Sequence, residues 1–83
     1  MIDMKIFGYQ NDNDELLKLQ EVSLQCTIEE LESIIDFLIE TKKEHESVRG
    51  RTDICHSHLR DWDKLWKKDD PDFIVVTNYK NEQ

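Results

Sequence analysis

Two glycines and one proline in 83 residues leave little room for linkers or for glycine-rich phosphate loops. Only two cysteines are present, Cys26 and Cys55, without a CxxC pair, which argues against a disulfide-stapled secreted scaffold. No apolar run approaches the ~20 residues of a membrane span. No signal-peptide core opens the chain. The expected setting is therefore cytoplasmic, with reduced thiols. The chain also lacks a GxSxG elbow and a paired-carboxylate signature, so an enzyme is not expected.

Basic residues are scarce as well. Eleven Lys and Arg face nineteen Asp and Glu, a net charge of −8. Such a surface repels phosphate backbones and anionic membranes, so neither nucleic acid nor membrane is an expected partner. It suits a basic protein, because complementary fields speed encounter. The plainer reading is that acidity serves solubility alone.

What the chain does have is clustered apolar sequence, 37% of the total, which argues for folding rather than disorder. The length allows one small domain, residues 1–83. MIDMKIFGY alternates Ile2, Met4 and Ile6 against Phe7 and Tyr9, and Gly8 suggests a bend or bulge. The acidic turn QNDNDE follows. A second strand is expected from Leu16 to Cys26, where Val22, Leu24 and Cys26 alternate with Ser23 and Gln25. Leu17 and Leu19 lie on the opposite parity, which calls for a bulge near Gln20 or cover on both faces. Together these predict an antiparallel hairpin over about 2–26.

TIEELESIIDFLIETKKEHESV is the clearest helix, expected over about 28–46. Thr27 and Glu30 have the spacing of a capping box. Ile28, Leu31, Ile34, Ile35, Leu38 and Ile39 form one stripe and are the expected core face. Phe37 lies off that stripe. His45, in a charged stretch, is expected to be a solvated residue near the helix end. Gly50 ends the pattern.

ICHSHLRDWDKLW gathers Cys55, His56, His58 and both tryptophans. At about 100° per residue, Cys55, Leu59, Trp62 and Trp66 form an apolar seam, so a second amphipathic helix is expected over about 53–68. On that helix His56 and His58 point about 160° apart, and chelation would want i and i+4. Neither a metal site nor a cofactor is therefore expected. Cys55 reads as a small buried hydrophobe rather than a nucleophile. His58, Asp61, Trp62 and Leu65 become helical neighbours, with a His58–Asp61 pair over Trp62. That edge is either a shield for the core or a partner-binding patch. On the second reading its residues are His56, His58, Arg60, Asp61 and Trp62. Pro71 closes the segment. PDFIVVTNY then predicts a final strand over about 72–79, central and contacted on both faces. The tail KNEQ is expected to fray.

Three stretches carry a resemblance across most of the chain: EVSLQCTIEELESIIDFL, HSHLRDWDKLW and PDFIVV. They resemble the immunity protein 32 family of bacterial polymorphic toxin systems. The positions that carry the pattern include His56, His58, Leu59, Arg60 and Asp61. The resemblance implies a cytoplasmic, non-catalytic inhibitor that binds a cognate toxin domain and blocks its active site or an exosite. Acidity fits a basic nuclease as that toxin. The alternative is a small acidic interaction or regulatory module unconnected with a toxin, with a homodimer left open.

The expected architecture is α+β: a three-stranded, mainly antiparallel sheet made from the hairpin and the final strand, with one long and one shorter helix on one face.

Overall fold

Thr27 starts the longest element by a reciprocal cap. Its hydroxyl accepts from the Glu30 N–H at 3.1 Å, and its own N–H donates to the Glu30 carboxylate at 2.7 Å. Two of the orphan donors at the helix start are satisfied this way. Helix α1 then runs from Ile28 to Ser47. Val48 caps its end, and Gly50 takes φ +86°, a left-handed geometry that opens the turn toward the next strand. The computed structural model describes residues 4–10, 13–67 and 69–79.

Before the helix lies a short ribbon. Strand β1, Ile6–Gly8, pairs antiparallel with β2, Leu17–Leu19, placing Ile6 opposite Leu19 and Gly8 opposite Leu17. Gly8 sits within the ladder rather than at a bulge, and a side chain there would meet Leu19 Cδ1 at 3.0 Å. The expected strand through Val22, Leu24 and Cys26 does not form; residues 20–27 are irregular and exposed. Their alternation has no neighbouring strand to pair with, and alternation alone cannot supply ladder hydrogen bonds. Ile2 and the tail 80–83 fall outside the described residues.

After the helix the chain departs from the expected second helix. Ile54–His58 is a strand, β3, and only Leu59–Trp62 coils, as the short helix α2. Strand β4, Ile74–Asn78, pairs antiparallel with β3, setting Ile54 opposite Asn78, His56 opposite Val76 and His58 opposite Ile74. A bond from the Leu59 N–H to the Phe73 carbonyl, at 2.8 Å, carries the ladder into α2. The physical reason is non-local. Ile74, Val75, Val76 and Thr77 are all β-branched, and pairing with them outweighs a helical preference that Ile, Cys, His and Ser scarcely support. Asp53 and Asp63–Lys67 of the expected 53–68 segment are not helical, and residue 68 falls outside the described residues.

The fold is thus α+β with two separate two-stranded antiparallel sheets, β1–β2 and β3–β4, and one long helix. The final strand is not central and does not join the N-terminal ribbon. One face of β3–β4 packs toward α1, bringing in Cys55, Ser57, Val75 and Thr77. The other face leaves Ile54, Ile74 and Val76 exposed, against the expectation of cover on both sides.

The core is small and lies on the side of α1 opposite to expectation. Phe37, only 1% exposed, is its centre, with Trp62 edge-on at 6.0 Å and Phe73 edge-on at 6.5 Å. Leu59 packs beside them, also buried. Along the same i, i+4 row of the helix follow Thr41 and His45, both buried. Ile28, Leu31, Ile35, Leu38 and Ile39 of the expected core stripe are instead exposed. Phe37 wins because aromatic partners face it from α2 and from Phe73, just before β4, whereas β1 and β2 chiefly contact each other and do not cover the stripe.

Candidate functional site

His45 is the first of two histidine arrangements. It is 4% exposed, not solvated, and both ring nitrogens are engaged. Nδ1 lies 2.7 Å from Thr77 Oγ1, and Nε2 lies 2.9 Å from Ser57 Oγ. The Tyr79 hydroxyl also donates to the His45 backbone carbonyl. A single imidazole therefore ties α1 to β3 and β4 at once. Hydroxyls both donate and accept, so they satisfy either tautomer of the ring. Ser57 and His45 have the spacing of a nucleophile and its base. However, the second ring nitrogen meets a hydroxyl rather than an orienting carboxylate, and the ring is closed to solvent. The arrangement reads as a buried cross-link. Beside it an open cleft of about 390 Å³ runs between α1 and β4, walled by Leu38, Val75 and Tyr79 and edged by the Lys42–Glu46 ion pair at 3.0 Å.

The second arrangement lies where β3 meets α2. His56 and His58 occupy alternate strand positions and so share the outward face. Their ring centroids are 5.6 Å apart, with planes at 77°. His58 Nδ1 lies 2.6 Å from Asp72 Oδ2. Its carboxylate partner is thus Asp72, at the entry to β4, and not Asp61. The helical spacing that suggested Asp61 does not exist in a strand. Asp72 is held in turn by the Arg60 N–H at 3.0 Å and the Phe73 N–H at 2.9 Å. Arg60 Nε approaches the same carboxylate at 3.9 Å. Partial burial pushes the Asp72 carboxyl up, but the hydrogen bond from His58, the two backbone donors and the charge of His58 outweigh it. The carboxyl is held below the ordinary 3.8.

The five candidate partner-binding residues therefore separate. His56 stands exposed on the strand. His58 is half-buried and committed to Asp72. Arg60 and Asp61 are exposed on α2, and Trp62 is 38% exposed with its inner edge on Phe37. The helical seam does not form: Cys55 is half-buried on β3, and Trp66 lies beyond the end of α2. Cys26 and Cys55 are both free thiols. Sequence reasoning missed two residues, Asp72 and His45. The i, i+4 row Phe37–Thr41–His45 was the available signal for the latter. For Asp72 the signal was weaker: a short acidic side chain just before a β-branched run.

A third feature is the exposed face of α1. Ile28, Leu31, Ile35 and Ile39 line it, with the exposed carboxylates of Glu29, Glu32, Asp36 and Glu40 along one side. The chain presents 7820 Å² of surface, against about 5,200 Å² for a folded monomer of 10.0 kDa. Its radius of gyration is 14.0 Å, where a compact chain of this length has about 12 Å.

No helix among the described residues is long and apolar enough to cross a membrane. No protein-family model, curated protein or solved structure matches the chain.

Proposed function

We propose that this chain is a non-catalytic binding protein whose partner is a basic protein domain, and that the partner is a bacterial toxin neutralised by the contact. The toxin assignment rests on the resemblance to the immunity protein 32 family. The binding assignment rests on the molecule: an apolar stripe on α1, left bare and bordered by carboxylates. Contiguous apolar surface with a polar rim is the usual mark of an interaction face.

Charge favours a foreign partner over a second copy. Two chains meeting through this stripe would bring two rims of Glu29, Glu32, Asp36 and Glu40 together, on top of −8 each. The competing reading is a small acidic module unconnected with toxins, dimeric through the same face.

Co-expression with a toxin gene encoded beside it, followed by pull-down, tests the proposal. The expected result is rescued growth and co-purification, with affinity that falls as salt rises. Ile35→Lys should abolish capture while leaving the unfolding midpoint nearly unchanged, because that side chain is already half exposed. Failure to rescue or to co-purify removes the toxin assignment, and a concentration-dependent doubling of mass would favour the module.

A further inference from the structure

The expectation of no metal site depended on helical geometry, which would have turned His56 and His58 apart. A strand turns them the same way. We propose that His56 and His58 form a two-nitrogen site for a late first-row divalent transition-metal ion, with Asp72 holding His58 in its ligating tautomer. This is independent of the partner reading.

Three observations carry it. First, the ring centroids lie 5.6 Å apart. Two imidazoles on one tetrahedral zinc, with Zn–N bonds near 2.0–2.1 Å, have centroids about 5 Å apart, so the rings already stand close to chelating distance. Second, Asp72 Oδ2 sits 2.6 Å from His58 Nδ1. An ionised carboxylate only accepts, so Nδ1 carries a proton, and Nε2 is the nitrogen left to a metal, which takes the place of any proton there. A carboxylate behind an imidazole is the common outer support of metal-bound histidine, and the Arg60 and Phe73 N–H groups fix this one. Third, the face is open. His56 is exposed, and the cross-strand neighbours of the pair, Val76 and Ile74, are apolar and offer no competing hydrogen bond.

The chemistry of the donors selects the ion. Imidazole nitrogen suits Cu²⁺, Ni²⁺ and Zn²⁺, while Mg²⁺ and Ca²⁺ require oxygen. Among the described residues no group of three His, Cys, Asp or Glu side chains is placed to hold a metal. Cys55 and Ser57 occupy the opposite parity of the strand, toward α1. The protein thus supplies two ligands and leaves the other positions to water or to donors from another molecule. Affinity follows the order Cu²⁺ above Ni²⁺ and Zn²⁺.

The test is titration of the full chain with NiCl₂ and with ZnCl₂, followed by calorimetry and by imidazole ¹⁵N resonances. One ion per chain is expected, moving the ring nitrogens of His56 and His58 but not those of His45. His56→Ala should weaken binding at least tenfold with an unchanged unfolding midpoint, since that side chain is exposed on the outer face of the strand. Asp72→Asn should weaken it by roughly 10–100-fold. Binding that survives His56→Ala, or that disappears in Cys26→Ser instead, overturns the proposal. So does a titration with no movement of the His56 ring.

Discussion

The two faces of α1 can be told apart by two truncations two residues apart in the chain. Phe37 is 1% exposed and wedged edge-on between Trp62 and Phe73. Phe37→Ala removes the largest buried side chain and leaves a cavity that three separate elements must collapse to fill. Such truncations cost about 3–5 kcal/mol. A domain of 83 residues holds roughly 4–12 kcal/mol in total, so this variant should lose about a quarter or more of its stability. Phe37→Leu, which keeps much of the volume, should lose about 1–2 kcal/mol and remain measurable. Ile35 is 48% exposed. Full burial of such a side chain contributes about 1.5–3 kcal/mol, so Ile35→Ala should cost about 1 kcal/mol or less. Urea unfolding followed by far-ultraviolet circular dichroism and tryptophan fluorescence gives the three values. If Ile35→Ala were the costly change and Phe37→Ala the mild one, the helix would dock through its isoleucine stripe, and the partner-binding reading of that stripe would fall with it.

Acid titration tests the Asp72 contact. Its folded carboxyl lies below 3.8, so its stabilisation is present above that value and is lost as the pH falls through the lower folded one. Asp72→Asn should therefore be less stable than the parent at pH 7, and the gap should close toward pH 2; a gap that widens in acid would contradict the assignment. Gly50→Ala isolates backbone strain, since φ is +86° and an added methyl group meets nothing within 4 Å. The expected loss is about 1 kcal/mol, read from the urea midpoint, and no loss would place that turn in an ordinary conformation.

The helix α1 was legible in detail because its signals are local. Thr27 and Glu30 name the start, Gly50 marks the stop, and the bonds between them form as the spacing requires. Which face turns inward was not legible. That depends on what lies opposite, and the aromatic partners of Phe37 come from residues 25 and 36 positions away. The Cys55–Trp66 segment misled for a specific reason. A spacing of four, as between Cys55 and Leu59, satisfies both a helical and a strand period. Only Trp62 and Trp66 favoured the helix, and they lie beyond the strand that β4 imposes. Asp72 followed from the same error, because a helix offers Asp61 to His58 and a strand does not. The antiparallel hairpin character of the N-terminus was readable, but its extent was not. Alternating apolar residues from Val22 to Cys26 mark a strand only where another strand is available to pair.

Among the described residues every strand has a single neighbour, so each has one edge that no other strand covers. Larger sheets hide such edges at their centre or block them with proline and bulges. Here the net charge of −8 opposes edge-to-edge pairing between molecules. The colloidal behaviour of the protein is therefore tied to its ionisation: toward mildly acidic, high-salt conditions that spacing fades while the edges persist, and neutral, dilute buffers are where solutions should stay clear.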